Sequence, residues 1–161
     1  MTMNKHLVQF IVYGLFVLSL SGCHESLEPT PYVFTKYFTG ENSKTWAMTF
    51  VEETEGGKVI DRFPVECTQD DKYIFYATSD RLYEVHSGAT KCYKDEPATL
   101  TDTWSFTNAS ATLTIILPVF SSQRLPFIVR KVDENDLTLE FFLDQEGTTS
   151  YRIYFELKDE E

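Results

Sequence analysis

The chain has 161 residues, 42% of them apolar and 15% aromatic, enough to bury the core of one ordinary domain. Lys and Arg number 14 against 25 Asp and Glu, a formal net charge of −11. Such a surface repels phosphate backbones, so nucleic acid is excluded as an expected partner.

Residues 1–22 read as an export leader. Lys5 lies in a short polar start, and Leu7 to Leu20 is mostly apolar. That run falls short of the roughly 20 apolar residues needed to span a bilayer. Its exit, Leu20-Ser21-Gly22-Cys23, resembles the bacterial lipobox, in which the cysteine thiol receives a diacylglyceryl group before cleavage. Cys23 is therefore the expected lipid anchor, and a palmitate-type acyl load of two or three chains holds a protein firmly on a membrane. Cleavage takes 22 residues from 161 and leaves 139, with 13 basic against 25 acidic side chains, a net of −12. Residues 23–31 include Pro29 and Pro31 and read as an extended tether. Glu25 and Glu28 after the cysteine resemble surface-export signals of Bacteroidetes-type lipoproteins. The expected location is the cell envelope, on the outer membrane of a Gram-negative bacterium, facing the periplasm or the surface.

Residues 32–161 form the expected domain. Val33, Phe34, Tyr37 and Phe38 have the three-or-four spacing of a short helix, expected to cover one end of a strand-built body. Eight segments then alternate with period two: 44–53, 72–77, 81–87, 101–107, 111–117, 124–132, 136–143 and 149–158. The last is the clearest, with Tyr151, Ile153, Phe155 and Leu157 on one face. Turn-forming clusters at 79–80, 108–110, 133–135 and 144–147 force antiparallel neighbours. Eight such strands make an all-β, up-and-down barrel, whose closure removes its edges. Pro126 cannot donate a ladder bond, so a bulge or local opening is expected there. Two longer connections, 53–71 and 87–100, contain Cys67 and Cys92. In an exported protein these two are expected to form a disulfide, the alternative being two reduced, buried thiols. Their spacing does not suit zinc, and no metal or other cofactor is expected.

Most of the domain resembles the lipocalin-like lipoproteins of Bacteroidetes-type bacteria. The likeness lies in Ser43-Lys44-Thr45-Trp46, in Cys67 followed by Asp70-Asp71, Tyr73 and Phe75, in Gly88 with Cys92, and in Thr103-Trp104-Ser105-Phe106. It implies an eight-stranded, calycin-type barrel and no particular activity. Lys44 stands two residues before Trp46, where secreted animal lipocalins have glycine, so their ligands do not carry over.

Catalytic chemistry is thinly provided, and a non-enzymatic protein is expected. His86 is the one histidine of the domain, its strand register points it outward, and no Gly-x-Ser-x-Gly elbow accompanies it. The run 133–136 reads as a turn ahead of a calcium loop, and no phosphate-cradling glycine loop is present. The strong signal is aromatic. Trp46, Phe50, Phe75, Tyr83, Trp104, Phe106, Phe127, Phe141 and Tyr151 all fall on the expected inward face as candidate pocket residues, with Tyr73 and Phe155 beside them. An eight-stranded barrel is just wide enough to be filled by side chains or to hold one small ligand. The leading expectation is a membrane-tethered barrel that binds a small apolar ligand. The alternative is a filled barrel that binds an envelope protein through an outer patch drawn from Ile74, Tyr76, Ile116, Phe142 and Tyr154.

Overall fold

The computed structural model describes residues 31–107, 109 and 111–158. Residues 1–30, with Cys23, lie outside the described residues. The described chain is one short α-helix followed by ten antiparallel strands, with a single 3-10 turn at Glu66–Thr68 between the second and third. The helix α1 spans Pro31–Thr39, and the strands are β1 Ser43–Glu55, β2 Lys58–Phe63, β3 Lys72–Tyr76, β4 Leu82–His86, β5 Thr99–Thr103, β6 Ser105–Thr107, β7 Thr112–Ile115, β8 Leu125–Val132, β9 Asp136–Phe142 and β10 Thr149–Leu157.

Hydrogen bonding runs β5-β4-β3-β1-β10-β9-β8-β7-β6. The two ends of that path are consecutive in the chain, separated only by Trp104. There the backbone leaves its ladder with β4 and takes up one with β7, so the sheet curls into a nearly closed barrel. Short links between most neighbours account for the antiparallel order. Gly56 and Gly57, both at positive φ, make the tight turn from β1 into β2, a conformation that other residues enter at a cost.

The strand count exceeds the eight read from sequence, for two reasons. Segment 101–107 is split at Trp104, and β2 lies in what read as a connection. The Lys-Val-Ile-Asp-Arg-Phe run of β2 has no period-two pattern because nearly all of it is exposed. It pairs only the far half of β1, whose near half pairs β3. Pro126 also departs from expectation: it sits in regular register opposite Thr114, and the bulge in β8 falls between Val129 and Lys131. The β8–β9 pairing starts at Ile128, so a proline before it breaks no ladder on that side.

Inward side chains fill the barrel. Trp46, Met48, Val51, Tyr73, Phe75, Tyr83, Val85, Leu113, Ile115, Leu117, Phe127, Leu137, Leu139, Ile153 and Phe155 are all buried. Each large apolar side chain so buried contributes about 1.5–3 kcal/mol relative to exposure. Helix α1 closes the end where β1 begins. Phe38 is fully buried, with ring centroids 4.3 Å from Phe75, 5.1 Å from Phe106 and 5.4 Å from Trp104. The Trp46 indole N–H donates to the Phe38 carbonyl at 3.0 Å and satisfies one of the orphan carbonyls of the helix end. Lys44 donates to the Tyr37 carbonyl at 2.7 Å, and burial lowers its pKa against the pull of Asp133 and Glu134.

Candidate functional site

The nine aromatic residues picked from the sequence divide into three groups. Trp46, Phe75, Tyr83, Trp104 and Phe127 lie in the centre, none more than 4% exposed. Phe106, Phe141 and Tyr151 are partly buried against that core. Phe50 is a correction: it is not inward. The β1–β10 register shifts between Met48 and Phe50, so the strand turns its face and Val51 takes the inward place. Phe50 stacks instead on Tyr154 at 4.2 Å, under the Arg62 guanidinium at 3.5 Å.

Among the described residues the central group is tightly enclosed. A side chain with no accessible surface borders no space that admits a water, and Trp46, Tyr83, Phe127, Leu113, Ile115, Leu117, Leu139 and Ile153 all stand at 0%. The polar handles there are also taken. The Tyr83 hydroxyl donates to the Ile116 carbonyl at 3.0 Å and accepts from the Ile116 N–H at 2.8 Å. The Trp104 indole N–H donates to the Tyr76 carbonyl at 3.2 Å. Burial raises the pKa values of Tyr73 and Tyr83, as expected for phenols kept from water.

Partly exposed rings gather at the end away from α1. Phe141 is flanked by Phe120 at 5.3 Å, Phe127 at 5.4 Å and Tyr151 at 5.7 Å, and Phe63 meets Tyr151 at 6.3 Å. Phe63 and Phe120 escape sequence reasoning because β2 lacks alternation and Phe120 lies in a turn after β7. At the same end two hairpins are tied by the Gly56 N–H to the Thr148 carbonyl at 2.7 Å, and they expose Val59, Ile60, Phe142 and Leu143. The residues expected to form an outer patch are spread over several strands, Ile74 and Tyr76 on β3, Phe142 on β9 and Tyr154 on β10, with Ile116 just past β7. Tyr76 donates to Glu84 on β4, Tyr154 donates to Glu52 on β1, and the Ile116 backbone is bound to Tyr83.

The carboxylates hold structure together. Cys67 and Cys92 form a disulfide, with Cα atoms 5.0 Å apart. Beside it the buried Asp71 accepts from the Gly88 N–H at 2.7 Å, and Asp70 accepts from the Ala89 N–H at 2.6 Å. A Cβ on Gly88 would overlap the Asp70 carboxyl group, which explains why Gly88 accompanies Asp70 and Cys92. Burial raises the Asp71 pKa, partly offset by the Gly88 bond. On the outer face of β9, Glu140 is 1% exposed and bound by Ser150 at 2.6 Å, Arg152 at 3.0 Å and Arg130. Burial alone would raise its pKa, but those bonds and the two arginine charges outweigh it and lower it. Asp133 accepts from the Asn135 and Asp136 N–H groups, as a turn residue does, and these bonds hold its carboxyl at about 2. His86 points outward, 2.8 Å from Glu84. Among the described residues no three His, Cys, Asp or Glu groups converge on a metal position, and no helix is long and apolar enough to cross a membrane.

The fold and its surfaces therefore define a nearly closed antiparallel β-barrel with a disulfide-tied flank. Compared with known proteins, the chain matches no family model, and no curated protein is significantly similar to it.

Proposed function

We propose that this is a lipid-anchored, lipocalin-like barrel of the cell envelope that acts without catalysis, by binding a protein partner through its outer surface. The observation that carries the reading is the filled centre: eight inward side chains at 0% exposure leave no room beside them for a ligand. This favours the partner-binding alternative over a deep apolar ligand. The surface that suits it is the pair of hairpins at the end away from α1, where Val59, Ile60, Phe142 and Leu143 stand exposed. Membrane attachment rests on Cys23 and the leader before it. In the chain the expected tether precedes α1, which closes the end opposite these hairpins.

A second reading has one observation behind it. The half-exposed rings of Phe63, Phe120, Phe141 and Tyr151 would suit a shallow apolar ligand at the rim, with the Tyr151 hydroxyl as its polar contact.

The test is position-specific photocrosslinking in cells. A photoreactive phenylalanine analogue at Phe142 is expected to give an adduct of one defined mass, and the same group at Lys36 none. Equal labelling at both positions, or none at Phe142, would remove the partner reading. Cys23→Ser is expected to release the protein from the membrane fraction. Retention would remove the anchor.

A further inference from the structure

The barrel wall is not built the same way all round. The far half of β1 carries β2, and β2 pairs with nothing else in the sheet. On the other side of the gap, β4 ends at His86 and β5 starts at Thr99. Between them the wall consists of two segments outside the ladders, 64–71 with its 3-10 turn at Glu66–Thr68 and 87–98, with no strand ladder joining them. What joins them is the Cys67–Cys92 disulfide, the Gly88 N–H to Asp71, and the Ala89 and Thr90 N–H groups to Asp70 at 2.6 and 3.4 Å.

The 87–98 segment is a strap with internal bracing of its own. Glu96 accepts from the Cys92 N–H at 2.5 Å and from the Ser87 hydroxyl at 3.0 Å, and the Ser87 N–H to Ala98 carbonyl bond at 3.1 Å closes its neck. It is therefore braced as one unit between the ends of β4 and β5. Behind the seam lies the interior. Thr68 is 1% exposed and its hydroxyl donates to the Met48 sulfur at 3.4 Å, while Val65 and Leu100 pack on the core. Cys67 and Cys92 are each part-exposed.

We propose that this seam is a redox-operated side opening. A dithiol reductant cleaves the Cys67–Cys92 bond by thiol–disulfide exchange. Two electrons and two protons pass to the cysteine sulfurs, giving two thiols, and the reductant leaves as its own disulfide. The strap of residues 87–98 then swings from the wall and water reaches Met48, while the β1-β10-β9-β8 ladders stay closed. Such local opening ahead of global unfolding is a property of segments held by few ladder bonds.

Met48 reports the opening directly, because the other two methionines, Met1 and Met3, precede it in the leader. The protein exported behind its own leader and extracted in mild detergent is treated with dilute peroxide, beside a Cys67→Ala/Cys92→Ala variant. Met48 is expected to gain its oxygen roughly tenfold faster in the variant. Hydrogen exchange of the wild type, with and without a phosphine reductant, needs no variant to fold. It is expected to lose protection in 64–71 and 87–98 and to keep it in β9 and β10. An unchanged Met48 rate would overturn the proposal. So would protection lost equally in β9 and β10, because the disulfide would then hold the whole barrel and not a seam.

Discussion

Replacing Phe38 by alanine tests whether the barrel is a filled solid closed by its helix. The ring has no accessible surface and meets Phe75, Phe106 and Trp104 at 4.3–5.4 Å. Its transfer from water is worth about 2–3 kcal/mol. The void left among rings that cannot all collapse raises the total to about 4 kcal/mol, within the range of about 3–5 for buried Phe→Ala changes. The Trp46 N–H bond to the Phe38 carbonyl involves only backbone at residue 38 and survives the substitution. For a domain of this size the loss lowers the melting temperature by roughly 12 °C or more. The assay is urea unfolding followed by the fluorescence of Trp46 and Trp104. The midpoint is expected to fall with an unchanged slope. Phe50→Ala, on the outer face, is the control and is expected to cost under about 1.5 kcal/mol. A Phe38→Ala cost below about 1 kcal/mol would mean that the helix covers the barrel without filling it, against the packing described above.

Other substitutions probe the flank and the outer face. Gly88→Ala drives a methyl into the Asp70 carboxylate and is expected to cost about 1–3 kcal/mol in the same unfolding assay, by breaking the Ala89 N–H bond. Removing the disulfide, which links residues 25 apart, is expected to cost about 3–4 kcal/mol in the chain-entropy model, read as a fall in urea midpoint. Asp71→Asn keeps an acceptor for the Gly88 N–H but removes a buried charge. Because the folded pKa of Asp71 is raised above 3.8, its ionisation costs stability as pH rises through that value. The variant is therefore expected to be at least as stable as wild type at pH 7, with the difference closing below about pH 4 in melting curves. Glu140 and Asp133 have the opposite sign. Their folded pKa values are lowered, so the stability they confer is present above their ordinary values of 4.5 and 3.8 and is lost as pH falls through the folded ones. Glu140→Gln is expected to flatten the acid limb of the wild-type melting profile.

Much of the barrel is legible in the sequence because its core obeys period two. Tyr73 with Phe75, Tyr83 with Val85, Leu113 with Ile115, and Ile153 with Phe155 all point inward as their alternation requires. The failures come where geometry breaks the period. A bulge at Thr49 reverses the face of everything after it. Phe50-Val51 reads equally well in either register, so alternation alone turns Phe50 inward and hides Val51. The strand β2 carries no burial signal because it has almost no buried side. The role of Phe38 is only half visible: helical spacing is local, but the ring cluster it completes draws on β3, β6 and the joint at Trp104. The cysteine pairing is legible because the sequence reads as an export leader ending at Cys23, with two cysteines left over. The purpose of Asp70, Asp71 and Gly88 beside them appears only once two distant segments meet.

The proposed reading, a barrel filled by its own side chains, requires that no ligand be carried in its interior. Native mass spectrometry of the protein exported behind its own leader, before and after solvent extraction, tests this most directly. One mass is expected in both spectra, that of the mature chain with the covalent lipid proposed on Cys23, less two hydrogens for the Cys67–Cys92 bond. A mass that falls by roughly a few hundred daltons on extraction, the size of a pocket-filling small molecule, would contradict it.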